Sequence, residues 1–167
     1  MLQPSEFLEV AKLLASPTAG TPNDAEVRRS ISTAYYALFH TVLTAGADRL
    51  FGAHERGRVG YVIVYRSFEH TRLKRVCEDA ARSIVSPTLQ RQIGRTAFDS
   101  RLRDFANAFV LLQASRHAAD YDPAIILNQD DALAAIDHAE NAMKSFAAAP
   151  DDERSDLLAL MLGGGRS

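Results

Sequence analysis

The sequence predicts an all-α protein, built as an antiparallel bundle of about five helices with a short C-terminal helix. Apolar residues recur three or four positions apart along most of the chain, which is the period of an amphipathic helix. Groups of Ser, Thr, Asn, Asp and Pro interrupt that pattern where helices would begin and end. The chain has 167 residues, 47% hydrophobic and 24% charged, as expected for one globular domain. We predict a bundle over residues 1–149, followed by a short helix and a flexible tail over residues 150–167.

The first two predicted helices have clear boundaries. Apolar residues at helical spacing follow Ser5 and continue to Ala15, where a Ser-Pro pair ends the first helix. Thr21 is the predicted N-cap of the second helix, because a proline follows at the first helical position and an acid at the third. The apolar pattern of this long helix continues to about Phe51.

The segment from Val59 to Ser83 is less regular. Residues 61–65 are rich in aromatic and β-branched side chains, a composition that also suits a short strand. A lone five-residue strand would have no sheet to join. Because the apolar residues that follow keep helical spacing, we favour a third helix over the whole segment.

A polar connection over residues 86–94, with room for one helical turn, precedes the fourth predicted helix. Asp99 or Ser100 is its expected N-cap, and Pro123 prevents it from continuing beyond about Tyr121. This helix and the second are the two long ones of the bundle. We therefore expect them to lie antiparallel at its centre.

Two further helices complete the prediction. Asn128 is the expected N-cap of a fifth helix, which has acids in its first turn and ends near Ala149. Residues 151–162 repeat the capped, amphipathic pattern on a smaller scale. This last segment is either a terminal helix or a tail that binds a partner.

Composition excludes several classes of protein. The single cysteine, Cys77, cannot form an internal disulfide and is expected to be a buried thiol, and no Cys/His spacing typical of zinc sites is present. We predict no metal and no cofactor. The apolar runs are far shorter than the roughly 18 residues of a membrane span. The first residues lack the pattern of a signal peptide, so we expect a cytoplasmic protein without membrane association.

Charge is distributed unevenly along the chain. Residues 56–103 contain eleven Lys or Arg and four Asp or Glu, a net charge of +7, whereas the remaining residues carry -9. Such a basic window can bind a polyanion such as RNA, or meet acidic residues of a partner or of its own fold. Solvated helix faces are an equally good explanation.

Two sets of polar side chains suggest a functional site. On the second predicted helix, four residues at intervals of four, three and four share one face: Arg29, Thr33, Tyr36 and His40. At the end of the fourth, Arg116 lies one turn from Asp120, and His117 one turn from Tyr121. Each residue alone could simply be a satisfied polar group of a bundle. Two such sets in one small domain favour a site.

These residues also carry a resemblance to a known family. The run Ala-Tyr-Tyr-Ala-x-Phe-His at residues 34–40 and the run Arg-x-x-Ala-Asp-Tyr at residues 116–121 resemble the HEPN superfamily. More narrowly, they are similar to an uncharacterised bacterial branch that has both motifs. The resemblance covers about residues 5–147, although only these two motifs are specific.

The resemblance implies a helical bundle that dimerises. In many members it also implies a metal-independent endoribonuclease of a toxin-antitoxin or defence system. Such nucleases have an arginine followed, after four to six residues, by a histidine. Arg116 matches the arginine, but Tyr121 lies where the histidine is expected, and the nearest imidazole is that of His117. With a reference pKa of about 10, tyrosine is a poor base at pH 7, so His117 or His40 would have to serve.

The implied site therefore has two parts. Its catalytic residues are Arg116, His117 and Tyr121, and its substrate-binding residues are Arg29, Tyr36, His40 and Asp120. In a homodimer, two copies of the fourth helix would place both Arg116 side chains across one cleft, and a nucleotidyltransferase or antitoxin partner would bind the dimer. The alternative is a noncatalytic helical dimer that binds a nucleotide or a protein. The other histidines, His54, His70 and His138, lack partners at ligand spacing and are expected at the surface.

Overall fold

The computed structural model describes residues 2–163. Over this range every element of secondary structure is a helix, which confirms the all-α prediction. A short 3-10 turn over Ala53–Glu55 follows the second helix. The described residues form eight α-helices instead of the six expected: α1 (Pro4–Ala15), α2 (Asp24–Phe51), α3 (Val59–Arg66), α4 (His70–Ala80), α5 (Pro87–Ile93), α6 (Ser100–Tyr121), α7 (Gln129–Ala148) and α8 (Asp151–Leu162).

Helices α2 and α6 form the centre of the bundle. Helix α2 packs against α1, α6 and α7, and α6 packs in addition against α7 and α4. The two central helices are antiparallel as predicted, because Ser32 contacts Asp120 whereas Tyr36, one turn later on α2, contacts Arg116, one turn earlier on α6. Large aromatic side chains of both helices are fully buried in the core, among them Tyr35, Phe105 and Phe109.

The N-cap of α2 is Asn23, so the prediction of Thr21 was wrong by two residues. The Asn23 side chain accepts a hydrogen bond from the Glu26 amide at 3.0 Å, and the Glu26 carboxylate accepts one from the Asn23 amide at 2.7 Å. This reciprocal capping box satisfies two backbone donors.

The segment predicted as one third helix consists of two helices, α3 and α4. The preference for helix over strand at residues 61–65 is confirmed. The helix is interrupted at residues 67–69 because Phe68 turns inward and its ring packs against Gly46 of α2. A Cβ atom on Gly46 would lie 2.3 Å from that ring. The break sends the two helices to different neighbours, α3 to α2 and α4 to α6.

Helices α5 and α8 form more of the fold than the sequence predicted. The connection over residues 86–94 holds a full helix, capped by Ser86 and ended by Gly94, whose φ of 69° favours glycine. Helix α8 packs on α2 and α4 and buries Leu157, Leu158 and Met161 in the main core. It is therefore a helix of the bundle, whereas the predicted flexible tail beyond Gly163 lies outside the described residues.

Acidic residues of α8 bind part of the basic window. The Arg95 guanidinium contacts the carboxylates of Asp152, Glu153 and Asp156 at 2.5 to 3.5 Å. Glu153 also accepts a hydrogen bond from the Asp99 amide at 2.6 Å, just before α6 begins. Within residues 2–163, then, basic and acidic segments neutralise each other at this end of the bundle.

Cys77 is fully buried, as expected, and its burial raises the pKa of the thiol. Across residues 2–163, no helix combines the length and the apolar character needed to cross a bilayer.

Candidate functional site

The structure brings Arg116 of α6 against Tyr36 of α2. The Arg116 Nη2 group donates a hydrogen bond to the Tyr36 hydroxyl at 3.2 Å, and its Cζ atom lies 5.7 Å from the centre of the Tyr36 ring. These contacts combine a hydrogen bond with a cation–π interaction. Two residues that the sequence placed on separate helices thus form the core of one site.

Asp120 flanks the same guanidinium. Its Oδ2 atom lies 2.9 Å from Arg116 Nε, and the two side chains are only 22% and 18% exposed. This contact is an ion pair and not a hydrogen bond, since Nε is a buried donor without a hydrogen-bond partner within the described residues. The Ser32 hydroxyl donates to the same Asp120 oxygen at 3.2 Å. Asp120 therefore holds Arg116 by charge and is itself held by α2.

Tyr121 and His117 lie on the outer side of Arg116. Tyr121 is 63% exposed, and its ring centre is 5.6 Å from Arg116 Cζ. His117 is also exposed, with its ring 5.1 Å from that of Tyr121. Both line an open cleft of about 580 Å³ at the end of α6, together with Lys74, Gln113, Ala114, Arg116, Ala118, Asp122 and Pro123.

Two residues of the predicted polar face of α2, Tyr36 and His40, pack against α1. The Phe7 ring of α1 stacks on His40 at 4.5 Å and lies 6.3 Å from Tyr36. His40 Nδ1 also pairs with the Tyr65 hydroxyl of α3 at 2.5 Å. Of the four residues on that face, only Tyr36 reaches Arg116. The spacing correctly grouped them, but it could not indicate which neighbour they face.

Arg28, and not Arg29, connects α2 to the end of α6. Its guanidinium donates to the carbonyl oxygens of Ala119 and Asp122 at 3.0 and 2.9 Å, and to that of Ile125 at 2.8 Å. These carbonyls belong to the last turn of α6 and to the loop that follows. Arg29 is exposed and does not line the Arg116 cleft, so the structure does not bring it to the other predicted site residues.

His70, expected at the surface, is instead half-buried beside the site, so that prediction was wrong. Its ring stacks on Phe39 at 3.8 Å with an interplanar angle of 6°, and its Nδ1 atom lies 2.7 Å from the Tyr35 hydroxyl. The Gln113 side-chain amide donates to its backbone carbonyl at 3.3 Å. All of these partners come from α2 and α6, and no spacing within α4 could have identified them.

Burial lowers the pKa of both half-buried imidazoles. For His70 the positive charge of Arg116 acts in the same direction, and for His40 the neighbouring His70 does. Both rings are therefore neutral at pH 7. Burial also raises the pKa of the Tyr35 hydroxyl, which remains protonated.

No group of three or more His, Cys, Asp or Glu side chains within residues 2–163 is arranged to hold a metal ion. The residues that meet here are cationic or hydrogen-bond donors, with Asp120 as their counter-ion. Such an arrangement suits an anion better than a cation. Comparison of the chain with protein-family models, with curated proteins and with solved structures finds no match.

Proposed function

We propose that this chain is a HEPN-like, RNA-associated protein of a bacterial toxin-antitoxin or defence system, in which Arg116 binds an RNA phosphate. The observation that carries the proposal is the position of Arg116, held in place by Tyr36 and Asp120 at the wall of an open cleft. Its Nη1 group forms no hydrogen bond within the described residues, so it is free to contact a phosphate oxygen. Arginine is well suited to this role because its planar guanidinium matches phosphate oxygens.

The surroundings of Arg116 suit a nucleic acid. Lys74 lines the same cleft and adds a second positive charge. Tyr121 offers an exposed ring beside the guanidinium, on which an unpaired base can stack. In its full form the proposal includes cleavage of the bound RNA without a metal, with Arg116 stabilising the negative charge on the phosphate oxygens in the transition state.

A binding assay tests the proposal directly. Anisotropy of a fluorescent single-stranded RNA should give an affinity that falls about tenfold in Arg116→Ala, the usual effect of losing a charge-assisted contact. Lys144→Ala, a charge change at an exposed position of α7 away from the cleft, is the matched control. Equal affinities of the wild type and Arg116→Ala would refute the proposal.

Cleavage is tested separately. Purified protein is incubated with total RNA or tRNA in EDTA, beside Arg116→Ala and His117→Ala. If it is a metal-independent ribonuclease, the wild type should cut and Arg116→Ala should not. An intact RNA in the presence of wild-type protein would remove the nuclease activity from the proposal and leave the binding function.

A noncatalytic binding module is the second candidate. Two observations favour it: Asp120 partly neutralises Arg116, and Tyr121 lies where a nuclease of this kind has its histidine. This candidate predicts Arg116-dependent binding of a nucleotide or a protein without any cleavage. The two assays above therefore separate it from the first.

We also propose a homodimer formed through a face of α6 that adjoins the Arg116 cleft. An apolar groove of about 380 Å³ lies there between α6 and α7, and it includes Leu111, which is 48% exposed. Ala114 and Ala118 line both this groove and the Arg116 cleft. A second copy seated in the groove would thus lie next to the site.

Sedimentation should give a dimer for the wild type and a monomer for Leu111→Glu, whereas a wild-type monomer would refute the proposed homodimer. The nucleotidyltransferase or antitoxin partner stays a prediction.

A further inference from the structure

Besides the buried Nε group of Arg116, three hydrogen-bond donors at this site lack acceptors within residues 2–163. The first is Arg116 Nη1, and the second is the Tyr36 hydroxyl, which accepts from Arg116 but donates to no described group. The third belongs to His70, whose Nδ1 atom is taken by Tyr35 whereas Nε2 makes no hydrogen bond within the same range. The Asp120 carboxylate already contacts Arg116 and accepts a hydrogen bond from Ser32.

The three donors belong to one small region. The His70 and Tyr36 ring centres are 6.3 Å apart at an interplanar angle of 82°. Helices α4 and α6 run side by side here, because Gln113, one turn before Arg116, binds the His70 backbone. Lys74, one turn after His70, then lines the Arg116 cleft. Uncommitted donors grouped around a cation form an anion site.

Tyr35 determines which nitrogen of His70 carries the proton. The Tyr35 side chain is fully buried, and Nδ1 of His70 is the only hydrogen-bond partner of its hydroxyl within the described residues. Because a buried hydroxyl is costly without an acceptor, it donates to Nδ1. A neutral imidazole that accepts at Nδ1 must carry its hydrogen on Nε2. His70 can therefore donate a hydrogen bond and cannot act as a base at that nitrogen.

We infer that His70 donates a hydrogen bond from Nε2, as a neutral imidazole, to the phosphate that Arg116 and Tyr36 bind. This inference rests on the proposed function, and it assigns a binding role to a residue outside both sequence motifs. The ring is held for this role from two sides, by the stack on Phe39 and by the bond to Tyr35. A donor fixed in this way loses little conformational freedom when a ligand binds.

Burial, and after it the positive charge of Arg116, lower the pKa of His70 and keep its ring neutral at pH 7. Helix α6 presents Arg116, α2 presents Tyr35, Tyr36 and His40, and α4 itself carries Lys74 one turn on. None of them is an anion at pH 7. RNA affinity should therefore stay constant from about pH 7 to 8, apart from nonspecific effects shared with a His70→Gln variant.

A matched pair of substitutions tests the inference. The side-chain amide of Gln can place an N–H group near the position of Nε2, whereas Asn can replace only the Nδ1 end. We expect His70→Gln to bind fluorescent RNA within about threefold of the wild type and His70→Asn to bind about five- to tenfold more weakly, the effect of one lost hydrogen bond. His54→Asn, at an exposed position of the 3-10 turn after α2, is the control, and melting curves check that each variant folds.

Nitrogen NMR of the imidazoles supplies an independent measurement. The expected spectrum has His70 neutral with its proton on Nε2, and inorganic phosphate or a short RNA should shift the Nε2 signal without protonating the ring. A proton on Nδ1, or equal RNA affinities of His70→Asn and the wild type, would overturn the inference. If RNA binding still depends on Arg116 in that case, the proposed function survives. If no RNA binds to the wild type, both fail.

Discussion

Two clusters of the same three residue types, Arg, Asp and Tyr, lie at different parts of helix α2. Near its C-terminal end, Arg56 donates to both carboxylate oxygens of Asp48 at 3.0 and 2.5 Å, and the buried Tyr61 hydroxyl donates to Asp48 at 2.8 Å. Near its middle, Arg116 meets Tyr36 and Asp120. In the first cluster Asp48 accepts the hydrogen bonds of Arg56 and Tyr61. In the second, donors of Arg116 and Tyr36 have no acceptor within the described residues.

The difference separates a stabilising cluster from a binding cluster. Burial and the hydrogen bond to Asp48 raise the pKa of Tyr61 to about 12, and the hydrogen bonds from Arg56 lower the pKa of Asp48. The charges of the first cluster are thus matched within the fold. In the second, Arg116 has one carboxylate beside it in poor hydrogen-bond geometry. An incoming anion can therefore accept the hydrogen bonds that no group within the described residues accepts.

The largest expected effect comes from breaking the first cluster. We expect Asp48→Ala to lower the free energy of unfolding by about 2–3 kcal/mol, because Arg56 and the buried Tyr61 hydroxyl lose their common acceptor. Urea denaturation measures it. RNA affinity of the folded variant should remain that of the wild type, and a stability loss below about 1 kcal/mol would contradict the assignment.

The same test applied to the second cluster should give the opposite pattern. We expect Arg116→Ala to change the free energy of unfolding by less than about 1 kcal/mol, because Arg116 donates one hydrogen bond within the described residues, to Tyr36, and meets Asp120 without one. RNA affinity should fall about tenfold. The comparison fails if Arg116→Ala destabilises the protein as strongly as Asp48→Ala.

Acid should lower the stability of the fold in two different pH ranges, one set by His40 and His70 and the other by Asp48 of the first cluster. The pKa values of His40 and His70 are lowered from an ordinary 6.5, so unfolding takes up protons and stability falls as pH drops through 6.5 towards the folded values. The pKa of Asp48 is lowered from 3.8, so its contribution persists until pH falls below that value. Melting temperatures should therefore decline already between about pH 7 and 5. A combined His40→Gln and His70→Gln variant should show a flatter profile in that range, and an unchanged profile would contradict the prediction.

The smallest effect concerns the counter-ion of Arg116. Asp120→Asn removes a negative charge 2.9 Å from the guanidinium and keeps an acceptor for Ser32. We expect RNA to bind about two- to threefold more tightly, since the phosphate no longer competes with a carboxylate at a partly exposed site. Titration at low salt measures the gain. Weaker binding would mean that Asp120 positions Arg116 more than it opposes the ligand.

Much of the fold was predictable because helix ends are local. Asn128, Asp99 and Pro123 act on the chain next to them, and the helices they delimit occur where predicted. The break between α3 and α4 was not predictable in this way. It depends on the contact of Phe68 with Gly46, which lies on another helix.

The candidate site was predictable to a similar extent, because local spacing identifies some of its residues and packing between helices determines the others. Tyr36, Arg116, Asp120 and Tyr121 were identified from spacing along their own helices, and the structure groups them. Spacing does not report the direction in which a face points, and Arg29 and His40 therefore lie away from Arg116. His70 was missed because its partners, Tyr35 and Phe39, precede it by more than thirty residues.

The three carbonyl contacts of Arg28 have a consequence for how fast and how tightly a ligand can bind. The last turn of a helix has no amide donors for its carbonyls and usually frays. Here one guanidinium supplies those donors and ties the end of α6 to α2. Arg116 lies one turn inside that end, so it is held in place before any ligand arrives. Little ordering entropy should be lost on binding, and loosening this distant tether by Arg28→Ala should speed dissociation from the site without removing any of its contacts.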